Sequence, residues 1–330
     1  MTKKSDSGTG IRCWVLTDGK PGMENQCLGL AEALGLDPEV KRVAPRFPWR
    51  ILPPHLWFHA LRAPGPDGDS LSPPWPDLLI ATGRQTVALS IAIKRLAGNL
   101  VFTVQIQNPV ISANRFDLVA TPRHDRLSGE NVIVTEGALH RITPERLAKE
   151  AEIFRDRLAG LGRPLVAVLI GGSNRQYRMT RQSTDALANG LAGLVRNHGA
   201  GLMVTASRRT GADNEALLRE RLAGLPAEIW DGTGDNPYFG YLGLADAIVV
   251  TGDSVSMVSE ACATGKPVYV FDLEGGSDKF RRFHENLREC GFTRTFTGKL
   301  ESWDYKPLRD TTRVADEIRR RIAALGPNEA

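Results

Sequence analysis

The sequence is poor in cysteine and has no long hydrophobic segment. Its four cysteines form no C-x-x-C pair and lie far apart, at Cys13, Cys27, Cys262 and Cys290. This spacing excludes a zinc ribbon and a redox dithiol, and it is typical of a protein in a reducing compartment. The longest apolar runs, such as Leu165–Ile170, have the length of a strand and fall far short of the roughly 20 residues of a membrane span. Residues 1–10 are polar, so we expect no targeting segment.

The excess of one charge sign is also small. The formal net charge is +4 over 330 residues. Specific nucleic-acid-binding proteins usually have a concentrated basic face, and because the charge balance gives no sign of one, we expect no nucleic-acid partner. The hydrophobic share of 42% excludes a disordered chain. The length exceeds the roughly 100–200 residues of one domain, so two domains are expected.

Short β-rich runs alternate with amphipathic helical segments along most of the chain, which predicts parallel sheets covered by helices on both faces. One series begins at Cys13–Thr17 and a second at Pro164–Ile170. The charged segment Thr143–Leu161 predicts a long helix that joins them, and Thr143 followed by Pro144 predicts the cap at its start. We therefore predict an α/β fold with two Rossmann-like domains, residues 1–160 and 161–330. Ligands of such sheets bind beyond the carboxyl ends of the strands, so we expect a cleft between the domains.

Four glycine-containing loops follow predicted strands and precede predicted helices, at Thr17–Gly22, Ala81–Thr86, Gly171–Asn174 and Thr251–Ser256. Glycine lets the backbone approach a ligand closely, and the amino end of a helix presents free N–H groups to an anion. One such loop is commonly only a turn, but four in the same topological position indicate a phosphate or diphosphate ligand. None matches the P-loop pattern, which argues against a P-loop NTPase. None matches G-x-G-x-x-G either, so the dinucleotide-binding fingerprint is absent.

The fourth loop lies in the most specific pattern, because Leu244–Val250 leads through it to Ser259–Val268. Here the chain resembles the C-terminal domain of GT-B glycosyltransferases, most closely the peptidoglycan N-acetylglucosaminyltransferase. The resemblance implies a GT-B-like fold, in which two Rossmann-like domains with parallel sheets face a central cleft. It also implies that backbone amides hold the diphosphate of a nucleotide sugar. UDP-sugar 2-epimerases of the same fold share this block, so the reaction stays open.

The same resemblance implies roles for individual residues. Glu260 would hold the ribose hydroxyls, and Asn236 lies in the stretch that recognises the base. The nucleotide-sugar-binding set is Gly171, Gly172, Ser173, Asn174, Asn236, Asp253, Ser254, Val255, Ser256 and Glu260. The acceptor-side set, from the glycine loops of the first domain, is Gly19, Gly22, Asn25, Gln26, Thr82, Gly83 and Gln85.

A resemblance over most of the chain is carried by four segments, Thr17–Gln26, Gly171–Asn174, Asn236–Leu242 and Thr251–Met257. They are similar to signatures of the mitochondrial fission "elongated mitochondria" family, and the resemblance covers about residues 12–325. In plants this family recruits a fission dynamin to the outer mitochondrial membrane. Its bacterial members are described as predicted nucleoside-diphosphate-sugar enzymes. We expect a bacterial member, because the N-terminal segment is short.

Sugar transfer with inversion needs a base near the acceptor hydroxyl. Asp18 and Glu24 are the candidates, because both lie in the first loop. Alternatively, Asp18 starts a turn and Glu24 complements the dipole at the start of a helix. The peptidoglycan enzyme has a histidine in its first glycine loop, whereas this chain has none. For Asp253 we favour a helix cap over contact with a sugar or metal.

Residues 46–58 combine aromatic and basic side chains, a mixture typical of a membrane interface and also of a segment packed on its own domain. We expect a cytoplasmic glycosyltransferase that uses a UDP-type sugar donor and needs neither a metal nor a cofactor. The sequence does not identify the acceptor, for which a lipid-linked molecule is one candidate. Residues 46–58 would contact the inner membrane peripherally. The alternatives are a nucleotide-sugar 2-epimerase and a catalytically silent adaptor at a membrane surface.

Overall fold

The computed structural model describes residues 10–98 and 100–325. The chain divides into two compact units: the first extends to Arg141 and resumes at Arg309, and the second is Ile142–Leu308. The sequence pattern led us to expect a boundary at residue 160, with a linking helix before it. In the structure that helix is part of the second unit, and the last helix of the chain belongs to the first.

The first unit is built on a six-stranded parallel sheet in the order β2-β1-β3-β4-β5-β6. Its strands are β1 (Cys13–Thr17), β2 (Glu39–Arg42), β3 (Leu78–Thr82), β4 (Phe102–Ile106), β5 (Leu118–Pro122) and β6 (Val132–Thr135). Its helices are α1 (Pro21–Ala33), α2 (Arg84–Leu96) and, numbered in chain order, α9 (Asp310–Leu325). The sequence analysis missed β2 because this edge strand is partly exposed and has no apolar run.

The second unit is built on another six-stranded parallel sheet, in the order β10-β9-β7-β11-β12-β14. Its strands are β7 (Leu165–Ile170), β9 (Gly201–Ala206), β10 (Ala227–Ile229), β11 (Ala247–Thr251), β12 (Val268–Phe271) and β14 (Thr293–Thr295). A separate two-stranded sheet is formed by β8 (Tyr177–Arg178), which pairs antiparallel with β13 (Glu274–Gly275). Its helices are α3 (Pro144–Leu158), α4 (Arg181–His198), α5 (Ala212–Leu222), α6 (Tyr238–Leu244), α7 (Val255–Cys262) and α8 (Asp278–Glu289).

Burial on both faces explains why β7 is a continuous apolar run. Leu165, Ala167 and Leu169 belong to one hydrophobic core and the alternating residues Val166, Val168 and Ile170 to the other. Successive side chains of a strand point to opposite faces, so a strand covered on both sides needs apolar residues at every position. The parallel, two-sided α/β architecture predicted from the sequence is confirmed.

Close helix packing places α3 inside the second unit. Thr143 accepts a hydrogen bond from the Arg146 amide at 3.2 Å, which confirms the predicted cap of this helix. Phe154 packs edge-to-face on Tyr241 of α6, with ring centroids 6.2 Å apart. Gly240 makes this approach possible, because a Cβ there would lie 2.4 Å from the Phe154 ring.

The terminal helix α9 completes the core of the first unit. Its buried residues Val314, Ala315 and Ile318 pack in the same cluster as Cys27 and Leu30 of α1. The side chain of Asp310, at the start of α9, accepts hydrogen bonds from the amides of Glu136 and Gly137 at 3.0 and 2.9 Å. The last helix is therefore needed to complete a unit that begins three hundred residues earlier in the chain.

Candidate functional site

The two sheets reverse their strand order at defined points, and the four glycine loops lie there. Numbered within its own sheet, the second unit has the strand order 3-2-1-4-5-6, and the order reverses between β7 and β11. In the first unit the reversal is between β1 and β3. Open parallel sheets bind ligands at such switch points, beyond the carboxyl ends of the two strands. The loops after these four strands are the ones that the sequence analysis selected.

In the second unit, the buried carboxylate of Asp253 joins the two loops of the switch point. Its Oδ2 accepts a hydrogen bond from the Gly172 amide at 3.1 Å, and its Oδ1 accepts one from the Thr251 hydroxyl at 2.6 Å. Thr251 Oγ1 in turn accepts from the Gly171 amide at 2.8 Å. These bonds link the end of β7 to the end of β11, so the loops hold each other in place.

Both glycines of the β7 loop are required by close contacts. A Cβ at Gly171 would lie 2.2 Å from Asp253 Oδ1. At Gly172 the backbone has φ +140° and a Cβ would lie 2.1 Å from the carbonyl oxygen of Arg209. Only glycine fits a position with both constraints. The Gly-Gly pair therefore has a structural reason that is independent of any ligand.

The environment of Asp253 explains how a carboxylate is tolerated here. Its side chain is fully buried and pairs with Arg209 at 2.8 Å, whose side chain is 38% exposed. Burial raises the pKa of Asp253, although the Thr251 hydroxyl, Arg209 and the Gly172 amide all act in the opposite direction. The helix cap that we favoured for Asp253 is wrong. Ser254 caps α7 instead, because its hydroxyl accepts from the Met257 amide at 3.4 Å.

The amino end of α7 is the part of the switch point suited to an anion. The first amides of a helix have no partner inside the helix, and at α7 these include the amides of Val255 and Ser256. The loop after β7 lies alongside, since the Asn174 side chain donates to the Asp253 carbonyl at 3.2 Å. Ser173 is engaged locally, as its hydroxyl accepts from the Met179 amide at 3.0 Å.

Glu260 is buried on α7 and is hydrogen bonded to Tyr238, the first residue of α6. The Tyr238 hydroxyl donates to Glu260 Oε2 at 2.5 Å. Burial, and then the charge of Glu260, raises the pKa of Tyr238 well above its usual value, so the phenol keeps its proton. Asn236 shapes the preceding turn, because its Oδ1 accepts from the Tyr238 amide at 3.0 Å. The sequence analysis did not foresee the bond between Tyr238 and Glu260.

Sequence analysis also missed His284 of α8. This buried ring makes a 2.7 Å hydrogen bond through Nε2 with the carbonyl of Gly252, in the loop before α7. Its Nδ1 has no hydrogen-bond partner within the described part of the chain. Burial lowers the pKa of His284, against the opposing effect of the bond to Gly252. Nothing in the local sequence marks this histidine, since His284 is 32 residues away from Gly252.

The switch point of the first unit is held by ion pairs near the surface. Asp18 pairs with Lys20, whose side chain is largely exposed, and also accepts from the Lys20 amide at 3.4 Å. Glu24 forms a two-pronged pair with Arg42 of β2, with N–O distances of 2.8 and 2.7 Å. The two candidate bases are therefore both engaged by cations.

The remaining acceptor-side residues lie at the end of β3, in the same two loops, or in the first two turns of α1 and α2. The Gln26 side chain is buried and donates to the Gly22 carbonyl at 3.0 Å. Gly83 has φ +86°, and a Cβ there would lie 3.0 Å from the Met23 methyl group. Gly19 is exposed, as is Gly22, whereas Thr82 is buried and Asn25 and Gln85 are half-buried. The β1 and β3 loops thus touch through Met23 and Gly83.

Two properties bear on the expected metal and membrane chemistry. Among residues 10–98 and 100–325, no three histidine, cysteine or acidic side chains are grouped so that they could hold a metal ion. No helix in the described ranges is long and apolar enough to cross a membrane.

Comparison with known proteins identifies both a family and a fold. A family model described as "Mitochondrial fission ELM1" matches residues 21–322. The protein named "Mitochondrial fission protein ELM1" of Arabidopsis thaliana is 35% identical, over 96% of this chain and 92% of that protein.

Solved structures resemble the chain in fold at low sequence identity. A UDP-GlcNAc 2-epimerase of Methanocaldococcus jannaschii, in complex with UDP-GlcNAc and UDP, has a TM-score of 0.55 at 12% identity and covers 96% of this chain and 100% of that one. The "glycotransferase of kitacinnamycin" has a TM-score of 0.54 at 14% identity, covering 94% of this chain and 99% of that one. The fold is thus GT-B-like, as expected, and it is shared by enzymes of both reaction types.

Proposed function

This chain belongs to the mitochondrial fission ELM1 family, and from that premise we propose that it binds a nucleoside diphosphate sugar of the UDP type at the switch point of its second unit and transfers the sugar to an acceptor. The observation that carries the proposal is the buried Asp253 network, which fixes the β7 loop against the amino end of α7. Structural neighbours whose names include UDP-GlcNAc support the donor class.

The diphosphate would lie at the amino end of α7. The amides of Val255 and Ser256 and the Ser254 hydroxyl can donate to phosphate oxygens, and the helix dipole favours the negative charge. A carboxylate pointing at the diphosphate would repel it. Asp253 avoids this, because its side chain is buried and paired with Arg209. The partly exposed Arg209 guanidinium is positioned to share its charge with a phosphate.

The ribose would lie against Glu260. A carboxylate accepts hydrogen bonds from two adjacent hydroxyl groups, and one of the Glu260 oxygens already accepts from Tyr238. That bond holds the carboxylate in one orientation before the nucleotide binds. It thereby reduces the ordering cost of binding.

Acceptor activation would fall to the first unit, where Asp18 and Glu24 stay our candidate bases. Glu24 uses both oxygens for Arg42, so it can accept a proton only if this pair opens. Asp18 is paired with Lys20, which is exposed and has a flexible side chain. We therefore favour Asp18. A general base of this kind contributes roughly 10²–10⁴ to the rate of transfer.

Titration calorimetry with UDP tests the donor site. Glu260→Gln should weaken UDP binding by roughly 10-fold or more, the effect of losing a charged hydrogen-bond acceptor. Glu289→Gln, at an exposed position of α8, is the matched control and should bind like the wild type. Unchanged affinity in Glu260→Gln would remove the ribose role. If calorimetry detects no binding of any nucleoside diphosphate, the proposed function fails and the adaptor alternative is favoured.

The fold resemblance to a UDP-GlcNAc 2-epimerase supports that activity as a second candidate. The two reactions differ at the sugar C2 atom, because only the epimerase removes its proton. Incubation of the protein with UDP-GlcNAc in D₂O separates them. An epimerase incorporates deuterium at C2, whereas a transferase releases UDP by transferring the sugar to water in place of its acceptor and leaves C2 unlabelled.

A further inference from the structure

A large cavity in the first unit has no part in the proposed nucleotide site. Its volume is about 620 Å³, within the roughly 300–1,000 Å³ typical of ligand pockets. It lies between residues 54–62, one face of α2 and residues 111–115. Apolar side chains provide much of its wall, namely Trp57, Leu61, Ile91, Ala92, Leu96 and Ile111.

Three exposed arginines, Arg62, Arg95 and Arg115, lie at this cavity. None of the three has a carboxylate within 4.0 Å among the described residues, whereas the neighbouring Lys94 pairs with Asp117 at 2.6 Å. Exposed arginines without acidic partners can bind an anion without first breaking an ion pair. The cavity therefore combines an apolar interior with cationic groups that are available to a ligand.

The sequence shows how this charge arises. Residues 43–66 and 78–116, which include the whole cavity lining, contain no aspartate or glutamate. A chain that is nearly neutral overall thus has two long acid-free segments, and the fold places them together. An anionic head group would meet cations here and no opposing carboxylate.

The segment beside the cavity also presents large apolar side chains to solvent. Phe47, Ile51, Leu56 and Phe58 are between 52% and 73% exposed. Side chains hold the backbone of this segment through hydrogen bonds. Trp49 Nε1 donates to the Phe58 carbonyl at 2.8 Å and Trp57 Nε1 to the Leu52 carbonyl at 3.1 Å. Arg84 donates to the carbonyls of Ile51 and Leu52 at 3.0 and 2.9 Å. A rigid segment that exposes several aromatic and aliphatic residues next to cations is suited to a lipid surface.

We propose that this cavity binds an anionic phospholipid at a membrane surface, with the acyl chain against the apolar wall and the phosphate at Arg62, Arg95 and Arg115. The exposed residues Phe47, Ile51, Leu56 and Phe58 would enter the interface beside it. This binding is independent of the nucleotide proposal, because every residue involved lies in the first unit. Either proposal can fail while the other stands.

Vesicle flotation with the full chain tests the site. Wild type should float with phosphatidylcholine vesicles that contain phosphatidylglycerol and should not float with pure phosphatidylcholine. Arg95→Gln and Arg115→Gln should each weaken binding roughly fivefold, the effect of one cation near an anionic surface. Arg196→Gln, an exposed arginine of the second unit, is the charge-matched control and should bind like the wild type. Equal binding by wild type and the two cavity variants would overturn the proposal.

Two further variants separate the cavity from a merely cationic surface. Ala92→Trp fills the cavity and should abolish flotation, whereas Ala216→Trp, on an exposed face of α5, should not change it. Leu96→Glu, at an exposed cavity position where folding is not at risk, should also abolish it by placing a carboxylate at the head group. If Ala92→Trp and Leu96→Glu both float like the wild type, the lipid does not occupy the cavity and the proposal is overturned. Competition by free glycerol 3-phosphate would likewise overturn the proposal, since it would show a soluble phosphate site.

Discussion

The two switch points of the molecule are built from the same topological element but are held together differently. In the second unit a fully buried carboxylate, Asp253, connects the loops through donors from both strands. In the first unit the corresponding loop and the first turn of α1 carry surface ion pairs, Asp18 with Lys20 and Glu24 with Arg42. Buried polar networks are rigid when every member is satisfied, whereas surface pairs are exchanged easily with water.

This difference agrees with our proposal that the second unit binds the nucleotide sugar and the first unit activates the acceptor. A site that binds one invariant group, such as a diphosphate, gains affinity from loops that are fixed in advance. A site that must take up a proton or admit an acceptor needs side chains whose partners can be displaced. If the second switch point is more rigid than the first, substitutions in its loops should cost more stability than matched substitutions in the first unit.

Gly172→Ala should cause the largest loss. The new Cβ would lie 2.1 Å from the Arg209 carbonyl at a residue with φ +140°, so the backbone of the loop must move. We expect the free energy of unfolding to fall by about 3 kcal/mol, measured by chemical denaturation. The control is Gly19→Ala in the first unit, at φ +76°, where a Cβ would meet only Arg42 Cδ at 3.8 Å. It should cost about 1 kcal/mol. Equal losses would contradict the comparison.

Asp253→Ala should have the next largest effect. It leaves the Gly172 amide and the Thr251 hydroxyl without their acceptor in a buried site. A cost of about 2 kcal/mol is expected, because Arg209 can regain water while the two buried donors cannot. Asp18→Ala, the matched change in the first unit, should cost less than about 1 kcal/mol, since Lys20 is exposed. If Asp18→Ala proved the costlier of the two, the assignment of rigidity would be reversed.

The smallest effect is a pH dependence from His284. Burial lowers its pKa in the folded protein, so below about pH 6.5 the unfolded chain binds the proton more readily. Stability should therefore fall as the pH decreases below about 6.5, by at most about 1.4 kcal/mol per pH unit. His284→Gln keeps a donor for the Gly252 carbonyl and should remove this slope in melting temperature against pH.

The difference between wild type and His284→Gln isolates this residue from Asp253. The pKa of Asp253 is raised, so its contribution to the free energy of unfolding has the opposite pH dependence. That contribution decreases as the pH rises above the usual titration range of aspartate. His55→Gln, an exposed histidine of the first unit, is the control and should retain the wild-type slope. A slope that survives in His284→Gln would show that another group is responsible.

Much of the architecture could be predicted from local sequence. The apolar runs of β7 and β11 indicated strands buried on both faces, and Thr143 with Pro144 indicated the start of α3. The edge strand β2 could not be found in this way, because an exposed strand carries no apolar run. The place of α9 was equally hidden, since its apolar face does not reveal which sheet it covers.

The candidate site was located by sequence, but its internal chemistry was not. Glycine loops after strands mark the ends of a parallel sheet, and the backbone geometry of such loops depends on neighbours in the chain. The role of Asp253 depends on Gly172 and Arg209, which are distant in sequence and adjacent only because β7 pairs with β9 and β11. The bonds of Glu260 to Tyr238 and of His284 to Gly252 arise in the same way.

The sequence alone therefore determined the α/β class, the family resemblance and the four loops, because these depend on periodicity and on short segments of neighbouring residues. The tertiary structure decided the strand order, the division into units and the partner of each charged group. It also brought two acid-free segments together around one cavity. Burial and electrostatics act through space, so residues that are unremarkable in the chain acquire their chemistry only when the sheet assembles.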